Sequence, residues 1–221
     1  MNINYRVQEG RENMLKCDGI IFDVDGTLWN STDIVKDAWN DALIKLGYNN
    51  PGITAKRLQG LFGLPMDDII RDILPDSTAG ERAKCTPVIY EYEDRYLSET
   101  GGELYPEIIE TIKRISETIP VFIVSNCQSG YIELFMKKTG CANYITDHLC
   151  PGDTKKFKAD NIMMIVEKHG LEFPLYVGDT HMDYEACCKA DCRFVFARYG
   201  FGSVPEAEYI IDSPAQLLTL L

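Results

Sequence analysis

Short apolar runs alternate along this chain with segments of helical period. The first run, Gly19-Ile20-Ile21-Phe22, stops at Asp23. A continuous run of that length suits a strand buried on both faces, as in a parallel sheet. Val24-Asp25-Gly26-Thr27-Leu28 follows, and Gly26 permits a tight turn there. From Asp33 to Leu46 the residues Ile34, Val35, Ala38, Trp39, Ala42, Leu43 and Leu46 fall on one stripe, and Gly47 closes the helix they predict. Pro65 opens a second helix through Leu74. Residues 76–98 are charged and mostly helix-like, with Pro87 expected as a break or a start. Gly101-Gly102 ends this stretch, and no strand is expected between Asp33 and Gly101.

The rhythm then changes. The pattern predicts a helix over Pro106–Glu117, a buried strand over Pro120–Val124 and a helix over Gly130–Lys138. A short strand is expected at Asn143–Thr146, a helix at Lys158–His169 and a strand at Pro174–Val177. A helix through Ala186–Ala190 and a strand at Arg193–Phe196 complete the series. Strands alternating with helices imply an α/β fold around a parallel, Rossmann-like sheet. The expected organisation is an α/β core of residues 1–32 and 101–221, with residues 33–100 inserted after the first strand as a helical cap.

Composition narrows the class. With 221 residues, 45% hydrophobic and 25% charged, the chain matches ordinary globular usage. The formal charge of −12 argues against a nucleic-acid or anionic-membrane partner bound through bulk charge. A small anionic substrate stays open, because a local cation can reverse a field that salt screens over roughly 8 Å. No apolar run is long enough for a membrane span. Met1 to Lys16 is polar and lacks the apolar centre of a secretion signal. The eight cysteines are scattered without a CxxC pair, which fits reduced thiols and a cytoplasmic location. Cys187, Cys188 and Cys192 near His181 read as small packing side chains more readily than as a zinc site.

Three polar clusters stand just past expected strands: Asp23 with Asp25, Ser125 with Asn126, and Asp179 with Asp183. In open α/β sheets, ligands bind beyond the carboxyl ends of the strands, so these clusters could converge. Lys158, near a helix start, could join them. Up to four carboxylates in one place repel, by about 4 kcal/mol for a pair 4 Å apart at an effective dielectric near 20. They need a cation or raised pKa values. Hard oxygen ligands favour Mg²⁺ over zinc or copper. Lys158, Ser125 and the backbone around Gly26 could hold remaining phosphate oxygens. The chemistry this implies is phosphoryl transfer at a carboxylate site.

Asp23-Val24-Asp25-Gly26-Thr27-Leu28 resembles the first motif, DxDGT[LV], of the haloacid dehalogenase (HAD) superfamily. Val124-Ser125-Asn126 resembles the second motif, and Val177-Gly178-Asp179-Thr180-His181-Met182-Asp183 resembles the fourth, GDxxxD. Order and spacing fit from about Cys17 to the end. The helical insertion resembles the C1 cap of the branch that contains phosphoglycolate phosphatases and β-phosphoglucomutases. The third motif needs one lysine. Lys155, Lys156 and Lys158 compete, none precedes a proline, and Lys158-Ala159-Asp160-Asn161-Ile162 resembles a KxxNI variant that favours Lys158.

The resemblance implies a Mg²⁺-dependent phosphatase acting on a small phosphorylated metabolite. Asp23 would be the nucleophile that forms an aspartyl-phosphate, and Asp25 the acid that protonates the leaving alcohol and then activates water. Mg²⁺ would be held by Asp23, the backbone carbonyl of Asp25, Asp179 and Asp183, the last directly or through water. Ser125 and Lys158 would grip the phosphoryl group, with Gly26, Thr27 and Asn126 also on the phosphate. Asp25 separates this chain from dehalogenases, whose halide leaving group needs no proton. The cap stretch Gly60–Met66 has no arginine, unlike β-phosphoglucomutases, so a phosphatase is favoured over a mutase. Lys56, Arg57 and Arg71 in the cap either contact an anionic substrate or form a solvated helix face.

Each residue alone has a plainer reading: Ser125 and Asn126 as a cap, Asp183 as a first-turn acid, Lys158 as a surface cation. Their joint order and strand-end placement favour a site. His181 and Trp29 are readable as site-lining or as packing, and Tyr199-Gly200-Phe201-Gly202 as a structural loop. A phospho-Asp signalling receiver is the alternative from another class, but receivers are about half this length and their acidic pair lies elsewhere. A non-catalytic HAD binding module is a third. The substrate is not legible, and of oligomeric states a monomer is favoured.

Overall fold

Six parallel strands form the central sheet of the computed structural model, which describes residues 15–221. Residues 1–14, which carry most of the segment read for a secretion signal and the start of the expected core, lie outside the described residues. In chain order the strands are β1 (Gly19–Phe22), β4 (Val121–Val124), β5 (Asp147–Leu149), β6 (Pro174–Gly178), β7 (Arg193–Ala197) and β8 (Tyr209–Ile211). Their order across the sheet is β5-β4-β1-β6-β7-β8. β1 thus lies between β4 and β6, with Phe22 in register with Ile123 on one side and Val177 on the other.

β1 and β4 are buried along their whole length because helices cover both sheet faces. Alternate residues point to opposite faces. Ile20, Phe22, Val121 and Ile123 pack into one apolar cluster, while Ile21, Phe122 and Val124 pack into another with Ile162, Ile165 and Tyr176. α5 (Ile108–Ser116) and α6 (Tyr131–Thr139) contribute to the first; α8 (Lys158–His169) and α9 (His181–Lys189) contribute to the second.

After β1 the chain forms β2 (Trp29–Asn30), which pairs antiparallel with β3 (Glu103–Leu104). Gly102 lets the returning strand lie on Trp29: a Cβ there would stand 2.8 Å from the indole. Between β2 and β3 run α1 (Thr32–Lys45), α2 (Ala55–Gln59), α3 (Met66–Ile73) and α4 (Ala79–Thr100). α1 and α4 pack together through Trp39, Ala42, Leu43, Ile89 and Leu97. A reciprocal capping box between Thr78 and Glu81 starts α4.

Pro87 does not break α4, which continues through it for 22 residues in all. The proline lies on the exposed face, so the hydrogen bond it cannot donate leaves the Ala83 carbonyl to water. The strand expected at Asn143–Thr146 is displaced. Cys141–Tyr144 forms a 3-10 turn after Gly140 ends α6 at φ 72°, and β5 starts at Asp147. This edge strand, Asp147-His148-Leu149, has no apolar run to announce it. A short α7 (Pro151–Thr154), a terminal α10 (Leu217–Leu220), β2, β3 and β8 were not expected from the pattern. Among the described residues no helix is long and apolar enough to cross a membrane.

Candidate active site

The chain leaves β1 for one side of the sheet and returns to the other, so β1 and β6 flank the point where strand order reverses. Crevices for ligands open there. Asp23, just past β1, gives its N–H to the Val177 carbonyl of β6 at 2.9 Å. Asp179 follows β6 directly, Asp183 lies in the first turn of α9, and Lys158 is the first residue of α8.

These four side chains meet. Carboxylate oxygens of Asp23, Asp179 and Asp183 lie within 4.8 Å of one another. The Lys158 ammonium donates to Asp23 Oδ1 at 3.0 Å and to Asp183 Oδ1 at 2.6 Å. Asp183 Oδ2 accepts from the Thr180 N–H at 3.0 Å and its hydroxyl at 2.6 Å, while Thr180 Oγ1 caps the Asp183 N–H. Thus one capping box both starts α9 and aims its carboxylate at the lysine. Asp179 Oδ2 accepts the Phe201 N–H at 2.7 Å, and Asp179 Oδ1 the Thr27 hydroxyl at 3.4 Å.

Glycine backbone makes room for Asp179. Gly26 has φ 82°, and a Cβ there would stand 2.1 Å from Asp179 Oδ2. A Cβ on Gly200 would stand 2.3 Å from both Asp179 Cβ and the Gly26 carbonyl. The loop Tyr199–Gly202 therefore holds a site carboxylate, a role beyond the structural one expected of it.

Burial raises the pKa of Asp23, against the lowering pull of Lys158. Asp179 is raised well above the carboxylate range by burial and then by Asp183 and Asp23. Burial alone would lower Lys158, but Asp183 and Asp23 outweigh it and hold the ammonium charged. Three carboxylates against one ammonium leave a formal balance of 1 − 3 = −2. A divalent cation would offset that charge, and hard oxygen donors are what such an ion takes. Asp23, Asp179 and Asp183 thus fit a divalent metal.

Asp25 is held differently. Its Oδ1 accepts from Trp29 Nε1 at 3.2 Å, the Tyr131 hydroxyl at 2.8 Å and the Ser31 hydroxyl. Burial pushes its pKa up to about 7, although these three donors pull the other way. Its carboxylate stands apart from the cluster of three. No sequence pattern points to Trp29, Ser31 or Tyr131 as its partners, although Trp29 follows the first motif.

The other expected residues divide. Ser125 is buried beside Asp23 and pulls its pKa down. Asn126 sends its side chain to the Gly63 carbonyl of the helical stretch at 2.7 Å, tying the two parts of the chain together rather than facing the carboxylates. Gly26 and Thr27, expected on phosphate, give their N–H groups within the turn, Gly26 to Trp29 O and Thr27 to Val24 O. These donors close the turn that carries Asp25. Lys155 turns to the Gly152 carbonyl, and Lys156 is exposed. Arg57 pairs with Asp72 at 2.9 Å and Arg71 with Asp67 at 2.7 Å, both at the surface, while Lys56 is exposed. His181 faces Glu185 and Glu206 on the outside.

A cavity of about 50 Å³ lies between Asp23 and Asp25 below and the helical stretch above. Trp39, Phe62, Tyr90 and Glu93 form much of its upper wall. Glu93 is buried, accepts from Trp39 Nε1 at 2.5 Å and Gln128 Nε2 at 3.1 Å, and is pushed up to about 8 by burial. No pattern marks it, since Glu93 sits among charged neighbours in α4. A wider groove outside carries Lys155, Lys156, Lys189 and the exposed Phe157.

The family profile of the haloacid dehalogenase-like hydrolases matches residues 20–197. A phosphoglycolate phosphatase of Vibrio parahaemolyticus is 27% identical, over 91% of this chain and 95% of its own. One from Rhodobacter capsulatus is 28% identical, over 84% of this chain and 86% of its own. A haloacid dehalogenase-like hydrolase from Streptococcus pneumoniae shares the fold at a TM-score of 0.80 and 20% identity, covering 91% of this chain and 96% of its own.

Proposed function

This chain belongs to the haloacid dehalogenase-like hydrolases, and from that premise we propose that it is a Mg²⁺-dependent phosphatase that hydrolyses a small phosphate monoester through an aspartyl-phosphate. The observation that carries the reading is the buried grouping of Asp23, Asp179, Asp183 and Lys158 at the reversal point of the sheet. The names of the curated relatives, phosphoglycolate phosphatases, support the reaction class.

On this reading residues 33–100 act as a cap over a core of residues 1–32 and 101–221. Asp23, Asp179, Asp183 and the Asp25 carbonyl would hold the ion. Bound there, Mg²⁺ supplies charge that neutralises phosphoryl oxygens and keeps the surrounding carboxylates ionised. Asp23 attacks phosphorus, forming a P–O bond to its carboxylate as the bond to the leaving alcohol breaks. Asp25 in its acid form gives its proton to the departing oxygen. It then takes a proton from the water that attacks the phosphoryl-Asp23, releasing phosphate and restoring both carboxyls. A pKa of about 7 lets Asp25 serve in both directions near neutrality. Lys158 and Ser125 balance the charge of the transferring group, where preset donors contribute most.

Steady-state release of phosphate from p-nitrophenyl phosphate with Mg²⁺ tests the proposal. Wild type should turn over continuously, and Asp23→Asn should be inactive while keeping its fold by circular dichroism. A single stoichiometric event would favour a receiver-like module, and an active Asp23→Asn would remove the nucleophile assignment. Phosphoglycolate is the first metabolite to assay, given the relatives' names.

A further inference from the structure

We infer that the groove outside the cavity is the subsite for the far end of the leaving group: the substrate is a phosphate monoester whose alcohol carries an extended apolar body, and Phe157 receives that body. The inference rests on the phosphatase reading above, which places phosphorus at Asp23.

The cavity beside Asp23 and Asp25 holds only a few heavy atoms in its roughly 50 Å³. It is not closed. Met66, Tyr90, Asn126, Cys127 and Gln128 line both the cavity and the groove, so the two spaces adjoin. Lys158 lines the groove as well and donates to Asp23 at 3.0 Å. The groove, of about 1080 Å³, therefore begins at the catalytic grouping and has the volume of a small-molecule site. A leaving group too long for the cavity continues into it.

The walls there are apolar. Pro65, Met66 and Tyr90 of the helical stretch stand on one side, and Phe157, Met163 and Met182 on the other. Methionines adapt their shape to irregular apolar ligands. Phe157 is 77% exposed and Met163 41%, two of the large apolar side chains that the described fold leaves open to water. Exposed apolar patches of this kind mark binding grooves. Charge gives no comparable direction. Once Lys158 is set aside, Lys155, Lys156 and Lys189 are matched in number by Asp94, Asp160 and Glu185.

A second observation is independent of the groove's shape. Phe157 is the N-cap residue of α8, a position that favours Ser, Thr, Asp or Asn. Thr78 and Thr180 fill the same position in α4 and α9, and each closes a reciprocal box with the acid three residues on. In α8 only half of the box can form: Asp160 accepts the Phe157 N–H at 3.1 Å, and a phenyl ring returns nothing. The residue breaks a local rule without gaining burial, which is the mark of a side chain kept for binding. Its place in the chain suits that use. Phe157 and Lys158 are consecutive, with Cα atoms about 3.8 Å apart. One side chain turns in to Asp23 and the other stands in the groove.

Ethyl, 2-phenylethyl and 4-phenylbutyl phosphate test this, since all three have alkyl leaving groups; p-nitrophenyl phosphate controls for phosphatase activity. In the wild type kcat/KM should rise along the series, by at least about tenfold from the ethyl to the 4-phenylbutyl ester, the scale of burying one aromatic group. Phe157→Ser should reduce that ratio at least fivefold without lowering Tm, because serine supplies the missing cap. Loss of a purely structural residue beside Lys158 would lower all esters alike and leave the ratio as it was. Equal kcat/KM for the ethyl and 4-phenylbutyl esters in the wild type would overturn the inference, as would an unchanged ratio in Phe157→Ser. A wild-type dimer in sedimentation that Phe157→Ser dissociates, with the ratio unchanged, would give the groove to a second copy of the chain and overturn it too. No turnover of any ester, the aryl one included, would instead defeat the phosphatase reading, and the inference with it.

Discussion

Two sets of acids, all buried but the half-buried Asp25, face each other across this site. On the core side, Asp23 and Asp183 share the Lys158 ammonium, while Asp179 takes a backbone N–H and a hydroxyl. Towards the cap, Asp25 and Glu93 have only neutral donors: Trp29, Ser31 and Tyr131 for one, Trp39 and Gln128 for the other. The same functional group therefore meets two environments. The core set keeps a net deficit of positive charge that a divalent ion would offset. The cap-side pair is displaced towards neutral pH, Asp25 to about 7 and Glu93 to about 8. The contrast teaches that burial alone does not assign a role to an acid; the charge of its partners does.

The contrast is open to direct perturbation. After the loss expected of Asp23→Asn, the largest effect is at Asp25. Asp25→Asn should lower turnover of alkyl phosphates by about 10²–10⁴-fold, the usual weight of general acid–base catalysis. The loss should be smaller for p-nitrophenyl phosphate, whose leaving group needs little protonation. Equal losses on both esters would merge Asp25 with the core set. Lys158→Ala should cost about 10²–10³-fold in turnover, as for removal of one preset charge-stabilising donor. It should also lower stability in urea by roughly 3–5 kcal/mol, because it strands buried carboxylates. Lys155→Ala and Lys156→Ala should stay within about twofold of wild type, as exposed substitutions do.

Mg²⁺ should raise Tm, by the equivalent of about 2.7 kcal/mol at a hundredfold excess over Kd. The rise should be larger at pH 8 than at pH 5, since binding requires ionised carboxylates. Asp179→Asn should remove most of it. The smallest effect concerns Glu93. Its folded pKa of about 8 lies above the value of about 4.3 expected in the unfolded chain. Between these values the folded state holds more protons than the unfolded one, so stability falls as pH rises through that window. Glu93→Gln carries no such proton. Its urea stability without metal should fall less steeply than wild type from pH 5 to 8, with Asp25 leaving a residual slope of the same sign. Parallel slopes would show that Glu93 has no raised pKa.

The core set was legible because each member follows an apolar strand or opens a helix. Phe22-Asp23, Gly178-Asp179 and the Thr180–Asp183 cap are local patterns, and one sheet brings them together. Lys158 is favoured over Lys155 and Lys156 by the resemblance of Lys158-Ala159-Asp160-Asn161-Ile162 alone; its inward turn to Asp23, while Lys155 turns to Gly152, is a property of the fold. The cap-side set was not legible. Tyr131 meets Asp25 across 106 residues, and Glu93 meets Gln128 across 35, with no periodicity to mark either. The edge strand Asp147–Leu149 lies beyond the expected Asn143–Thr146 for a related reason: a half-exposed strand has little apolar signal.

The central claim is that Asp23 takes the phosphoryl group before water does. Hydrolysis of an isotopically chiral thiophosphate ester in labelled water tests it most directly. Two successive displacements at phosphorus, first by Asp23 and then by water, predict net retention of configuration. Net inversion would mean that water attacks the ester in one step, and would contradict the account.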